Sequence, residues 1–325
     1  MPIIQSKYNP NWFFRNMHIS TIWASQFRRT TKLKLNRHQV ELTDGDFIHL
    51  DTHLNQKKKL ILLLHGLEGN SKSKYMQSMA HLFIKSEYDT ILMNHRSCSG
   101  EDNRLFSCYH SGKSDDLNEI ITHINNKYNY NSIYIIGFSL GGNVCLKYLG
   151  ETWTKPTNLK ACMSISPPID LEACGRALNQ PKNWIYAQTF LKTMRKKLKL
   201  KLQKFPKNNN GQLKRVNNLH DFDNEYTGPA HGFGNAQGYY DNCSSKDVIK
   251  NITIPTYILV AQNDSFMDKT CYPYEAAKKL GNVFLETPKY GGHVGFMTSF
   301  KPSENTWLEN RIERFIRENI QIDLL

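Results

Sequence analysis

The chain has 325 residues, of which 39% are hydrophobic, 11% aromatic and 22% charged; this excludes collagenous, low-complexity and wholly disordered classes and allows one large α/β domain with an insertion, or two ordinary domains. The formal charge of +13 is local, because Ala173 to His220 holds twelve Lys or Arg and no Asp or Glu, leaving 30 basic against 29 acidic residues elsewhere. There is neither an apolar run long enough to span a bilayer nor a basic-then-apolar leader, and the seven cysteines are odd in number, scattered and never spaced C-x-x-C, which disfavours a disulfide framework or a zinc knuckle and predicts a reducing, cytoplasmic compartment.

Up to about residue 170 short apolar runs alternate with longer periodic stretches, the pattern of an α/β sheet. Strands are predicted at Gln39–Leu42 and Asp46–His53, joined by a hairpin turn at Thr43-Asp-Gly-Asp46 that makes this edge antiparallel. Further strands are expected at Leu60–His65, Thr90–His95, Ile133–Phe138 and Leu159–Ile165, with helices at Ser73–Lys85, Asp115–Lys127 and Leu140–Gly150. The last four strands are nearly continuous apolar runs, as expected where helices cover both faces.

The alternation stops near Asp170 and resumes after Asn242, with strands at Ile254–Ala261 and Val283–Thr287 and helices near Tyr272–Leu280 and Glu304–Ile320. Residues 1–169 and 243–325 therefore read as two parts of one core, and 170–242 as a basic cap insertion. Ser166-Pro-Pro168 and the Gly-rich run Thr227–Gly234 supply chain reversals at its ends.

Gly137-Phe-Ser-Leu-Gly-Gly-Asn143 follows an apolar strand and opens a helix, the setting in which G-x-S-x-G makes a sharp turn that presents Ser139 at a helix N-terminus. The plainer reading is a helix-capping serine. A nucleophilic serine needs oxyanion donors, and the loop after His65-Gly66 would aim the backbone N–H of Leu67 at the same point as that of Leu140; otherwise the loop is only a glycine-rich turn. A base and an orienting acid are also required. His293, in Gly291-Gly-His-Val-Gly295, follows the last strand, with flanking glycines that allow close approach to the serine. Asp264 stands just past the preceding strand, and Asp268 is its competitor. A cysteine-nucleophile role for Cys98 is disfavoured, since no base is paired with it.

These residues resemble the α/β-hydrolase superfamily and, more narrowly, its YheT-like (ABHD1/2/3-type) esterases. The resemblance runs from about residue 10 to 320 and includes Asn16–Ile22, the His65–Gly69 loop, Asn94-His-Arg-Ser-Cys-Ser-Gly-Glu-Asp-Asn-Arg104, Tyr109–Gly112, the serine turn and Gly292–Gly295. It implies an α/β-hydrolase fold, a mainly parallel sheet of about eight strands interrupted after the sixth by a helical cap. It also implies Ser139 as nucleophile, Asp264 as acid and His293 as base in the hydrolysis of carboxylic esters or acylglycerols. Ser97 departs from the glycine common at its position, and Gln262-Asn-Asp-Ser-Phe266 lacks the usual proline. Read directly, the loop Asn94–Arg104 forms part of a pocket wall, its arginines paired with carboxylates.

Within the insertion, Trp184, Ala187, Leu191, Met194, Leu198, Leu202 and Phe205 recur at helical spacing, and Lys192, Arg195, Lys196, Lys197, Lys199, Lys201 and Lys204 fill the positions between. This predicts an amphipathic cap helix whose basic face is either simply solvated or docks on anionic membrane lipid; no nucleic-acid-binding motif accompanies it. The expected partner is a small-molecule or lipid ester; peripheral contact of the cap with the anionic inner face of a membrane stays open, and nucleic acid is not expected. No metal or organic cofactor is expected. An acyltransferase with the same triad and a non-catalytic binding protein on a hydrolase fold stay open.

Overall fold

The computed structural model describes residues 2–300 and 306–322. Nine strands form one sheet: β1 (Ile3–Ile4), β2 (Asn36–Glu41), β3 (Phe47–His53), β4 (Lys59–Leu64), β5 (Asp89–Asn94), β6 (Ser132–Phe138), β7 (Leu159–Ile165), β8 (Thr256–Leu259) and β9 (Val283–Glu286), in the order β1-β9-β8-β7-β6-β4-β5-β3-β2. β3 is antiparallel to both β2 and β5, and every other pairing is parallel. The ninth strand, absent from the sequence expectation, is β1, whose two residues are too few to leave a periodic trace.

The helices in chain order are α1 (Met17–Ile22, continued by a π-helical turn at Trp23–Phe27), α2 (Lys74–Lys85), α3 (Ser114–Lys127), α4 (Leu140–Gly150), α5 (Leu171–Leu178), α6 (Trp184–Lys204), α7 (Gln212–Arg215), α8 (Leu219–Phe222), α9 (Gly228–Ala230), α10 (Ala236–Cys243), α11 (Tyr274–Lys279) and α12 (Trp307–Ile322). Of the expected start of the last helix, Glu304 lies outside the described residues.

Side-chain alternation explains the continuous apolar strands. Leu60, Leu62 and Leu64 join one core layer with Ile120 of α3 and Val144 of α4, while Ile61 and Leu63 join another with Met79 of α2 and Ile312 of α12. Both faces of β4 are thus covered, and a polar residue on either would be buried without a partner. The chain leaves β4 toward β5 on one side and leaves β6 toward β7 on the other. β4 and β6 are neighbours, so their carboxyl ends flank the switch point where open α/β sheets form a crevice.

Helices α5 to α10 lie between β7 and β8. Ala187, Leu191, Met194, Leu198 and Leu202 of α6 are buried and continue the first core layer. The predicted apolar stripe is too long at its ends: Trp184 is 62% exposed and Phe205 only half-buried. The basic positions also divide. Lys192, Lys196 and Lys199 are exposed, but Lys201 is buried and donates to Asn103 Oδ1 (2.6 Å) and the Leu105 carbonyl (2.7 Å). The expected basic face is therefore partly turned inward, because carboxylate and carbonyl acceptors of the 102–105 loop lie beneath it.

Candidate active site

Ser139 ends β6 and starts α4 with φ +52° and ψ −120°, a left-handed conformation that a non-glycine residue adopts only when its surroundings impose it. The surroundings do so through close backbone approach. A Cβ on Gly141 would lie 2.6 Å from the His65 carbonyl, and one on Gly142 would lie 2.7 Å from Ser164 Oγ. The elbow block is also tied down at its last residue, since the buried Asn143 side chain donates to the Ser111 carbonyl (2.8 Å) and the Cys243 carbonyl (2.9 Å).

His293 reaches this serine across 154 residues of sequence: its Nε2 lies 2.9 Å from Ser139 Oγ, and its Nδ1 lies 2.8 Å from Asp264 Oδ2. A carboxylate can only accept, so the tautomer that satisfies both contacts carries its proton on Nδ1 and accepts the serine hydroxyl at Nε2. The Asp264 side chain is fully buried, and its second oxygen accepts from the Phe266 backbone N–H at 3.0 Å. Asp268 instead caps a short turn by accepting from the Thr270 N–H, so it does not compete for the histidine.

Several residues that hold the histidine were not legible in the sequence. Thr21 Oγ1 of α1 accepts from the His293 N–H (2.9 Å), Asn263 Oδ1 accepts from the Gly292 N–H (3.0 Å), and Ser166 Oγ accepts from the Val294 N–H (3.2 Å). Phe266 covers the imidazole with ring centroids 4.3 Å apart. Ser20 Oγ donates to the Gly291 carbonyl at 2.9 Å. The glycines around His293 serve this packing: a Cβ on Gly292, at φ +59°, would meet Thr21 Oγ1 at 2.6 Å, and one on Gly295 would meet Ser20 Oγ at 2.5 Å. The expected close approach of His293 to the serine is present at 2.9 Å, and the room that Gly292 and Gly295 give is toward α1. The only trace in the sequence was Asn16–Ile22, which carried part of the family resemblance.

Leu67 follows β4 and lines the same cavity as Ser139 and Leu140. Among the described residues neither the Leu67 nor the Leu140 N–H has a hydrogen-bond acceptor. The loop is fixed around them. A Cβ on Gly66 would be 3.1 Å from Ser139 Cβ, the Gly66 N–H donates to Tyr75 Oη (3.0 Å), and the Glu68 N–H donates to Tyr109 Oη (2.9 Å). Behind it the fully buried His65 accepts from the His95 N–H at Nε2 (3.0 Å), which places its proton on Nδ1 beside the Gly66 carbonyl (2.7 Å). Burial drives His65 well below the usual imidazole range and lowers His95 to about 4, so both act as neutral struts.

The serine opens into a cavity of about 710 Å³, within the usual size range of small-molecule sites. Its wall is mostly apolar and includes Ile22 of α1, Leu171, Phe190, Met194 and Phe222 between β7 and β8, and Met267. Ionisable side chains interrupt it, among them Lys197 and Asp223. Lys197 donates to Glu68 Oε1 at 2.8 Å and lies over the Tyr109 ring. Asp223 accepts from Thr227 Oγ1 (2.8 Å) and Tyr240 Oη (3.0 Å), and burial raises its carboxyl to about 7.

No residue of the Asn94–Arg104 loop lines the cavity, contrary to expectation. The arginine–carboxylate pairs are present, Arg96 bonding Asp116 at 2.8 Å and Asp44 at 2.6 Å, but they hold a layer behind the wall that carries Asn103 to Lys201. Ser97 occupies a left-handed position at φ +59°, the conformation glycine adopts freely, and its Oγ donates to Asp102 at 2.6 Å. Burial raises the Cys98 thiol to about 12, which leaves it without thiolate character.

The family model described as alpha/beta hydrolase fold matches residues 59–300. The Escherichia coli (strain K12) protein YheT is 31% identical over 314 residues, spanning 94% of this chain and 92% of its own length. Phospholipase ABHD3 of Bos taurus is 28% identical over 98% of this chain and 80% of its own. Among solved structures, the Pyrococcus furiosus esterase Pf2001 superposes with a TM-score of 0.59 at 16% identity, covering 90% of this chain and 98% of that one. The chain belongs to the α/β-hydrolase family, in its YheT-like, ABHD1/2/3-type branch.

Proposed function

We propose that the chain is a serine hydrolase that cleaves carboxylic esters of apolar acyl groups, with Ser139 as nucleophile, His293 as general base and Asp264 as the orienting acid. The observation that carries this reading is the unbroken path from Ser139 Oγ to His293 Nε2 (2.9 Å) and from His293 Nδ1 to Asp264 (2.8 Å), opening on an apolar cavity.

Ser139 attacks the acyl carbonyl as its proton passes to His293 Nε2, and the buried Asp264 stabilises the imidazolium. The negative charge on the carbonyl oxygen is met by the Leu67 and Leu140 N–H groups and by the amino end of α4. His293 then returns the proton to the leaving alcohol. Water, deprotonated by the same histidine, releases the acyl group. Residues 170–242 act as a cap whose Leu171, Phe190, Met194 and Phe222 give the acyl chain an apolar wall.

The test is labelling of the purified chain by a fluorophosphonate, beside hydrolysis of p-nitrophenyl esters of increasing acyl length. Labelling and turnover that vanish together in Ser139→Ala are expected, with kcat/KM rising along the series while each added methylene gains up to about 0.8 kcal/mol on burial. A wild-type chain that neither labels nor turns over any ester would refute the reading; turnover that an added alcohol diverts into acyl transfer would move it to an acyltransferase.

A further inference from the structure

The mouth of the cavity lies between the turn after α1 and the outer side of α6: Ser25, Gln26, Ile185, Thr189 and Thr193 line the cavity and are also exposed. Large apolar side chains stand in water on both sides of it. Trp12 is 70% exposed and Phe27 60% on one side, Ile185 66% on the other. The first group is continuous. Trp12 stacks on Phe13 with centroids 3.8 Å apart, Phe13 and Trp23 each meet Phe300 (5.4 and 4.7 Å), and Trp23 meets Phe27 at 5.4 Å. His18 Nδ1 lies 3.1 Å from Tyr186 Oη, joining α1 to α6.

Charge in the two segments that supply these rim residues has one sign. Residues 1–40 carry seven Lys or Arg and no Asp or Glu, and residues 173–220 carry twelve and none; these are the two longest acid-free stretches of the chain. They are also the two segments that build the mouth. Arg15, Arg29, Lys32 and Lys182 among them are exposed.

We propose that this rim is the docking surface for an anionic lipid bilayer. Trp12 and Phe27 enter the headgroup layer, where tryptophan is favoured, and the acid-free surroundings meet anionic headgroups. The cavity then opens directly onto the lipid, so an acyl chain passes from bilayer to apolar wall without crossing water. A protein seated on the same rim would close that entry. The surface differs from the solvated lysines of α6, which lie outside the mouth. The proposal does not rest on the ester reading, because binding is measured without turnover.

The experiment is sedimentation of the full chain with vesicles of phosphatidylcholine alone and of phosphatidylcholine mixed with phosphatidylglycerol, with tryptophan emission and its quenching by brominated lipid followed in parallel. Binding to the mixed vesicles that weakens with salt, together with blue-shifted and quenched emission, is the expected result. A Trp12→Ser/Phe27→Ser variant should lose about tenfold or more in vesicle affinity while keeping its thermal unfolding transition and its turnover of a water-soluble short-chain ester. The proposal is overturned by a failure to bind mixed vesicles, by equal binding of that variant, or by loss confined to a Lys192→Gln/Lys196→Gln/Lys199→Gln variant. A variant that changes only the sedimentation mass of the free protein would overturn it too, by assigning the rim to a second copy of the chain.

Discussion

Lys197 of α6 donates to Glu68 at 2.8 Å, and Glu68 is the residue that follows Leu67. Glu68 also accepts from Tyr109 Oη (2.7 Å), while its own N–H donates back to the same hydroxyl (2.9 Å). The α6 helix therefore holds the loop that carries Leu67, one of the two proposed oxyanion donors. Removing the lysine leaves a nearly buried carboxylate unpaired beside that loop. Lys197→Met is expected to lower kcat about tenfold or more with little change in KM, as a displaced oxyanion donor does. Glu68→Gln in the same chain should recover part of the loss, and a double-mutant cycle on kcat measures the coupling.

The two candidate acids separate cleanly by substitution. Asp264→Asn keeps the shape but removes the partner that fixes the His293 tautomer, and kcat should fall by about 10⁴. Asp268→Asn touches only a turn cap and should change kcat less than about twofold. Steady-state rates on a single p-nitrophenyl ester decide both.

Thr21 acts on His293 from the other end of the chain. Thr21→Val preserves volume but leaves the His293 N–H without its acceptor, at a cost of about 1–3 kcal/mol if that group stays buried. The expected outcome is a chain that folds with a lower Tm, still labels at Ser139, and labels several times more slowly. The rate of fluorophosphonate labelling reads this directly.

Two glycines make a matched pair. Gly292→Ala forces a Cβ into the left-handed region and against Thr21, and should destabilise the fold and abolish turnover. Gly175 sits in α5 on the cavity wall with nothing nearer than Tyr240 Oη at 3.5 Å, so Gly175→Ala should be tolerated and raise stability by about 0.5–1 kcal/mol. Chemical denaturation of both variants checks the sign.

The Asp223 carboxyl is raised by burial to about 7, against 3.8 for the free group. Its folded form binds the proton more tightly than the unfolded one. The resulting stability is fully present below pH 3.8 and is lost as pH rises through about 7. Asp223→Asn removes this loss. Its Tm should match that of the parent near pH 4 and exceed it by several degrees at pH 8.

The sheet was readable because β4 to β7 are covered on both faces, so their apolar runs are uninterrupted and mark their own ends. Ser139, Asp264 and His293 could be singled out for a similar reason, since each stands just beyond a strand in a locally distinctive setting. The supports around them had no such mark. A hydroxyl such as Thr21 or Ser166 looks like any surface serine or threonine until the chain brings a backbone N–H to it from more than a hundred residues away. Lys201 looked like one more solvated lysine because its acceptors, Asn103 and Leu105, belong to a distant loop. Helical periodicity reports which residues face away from a core, but not what waits on the other side.

The bond from the His293 N–H to Thr21 also sets an order in time. Its two partners are 272 residues apart, and at ribosomal speeds of about 5–20 residues per second the second emerges roughly 15 to 55 seconds after the first. During that interval the serine turn and its glycines can already pack, while α1 has nothing to fasten and the aromatic residues around it have no cover. With Ser139 and His293 as the proposed nucleophile and base, the nascent chain holds the one without the other until the segments around Thr21 and His293 close on each other.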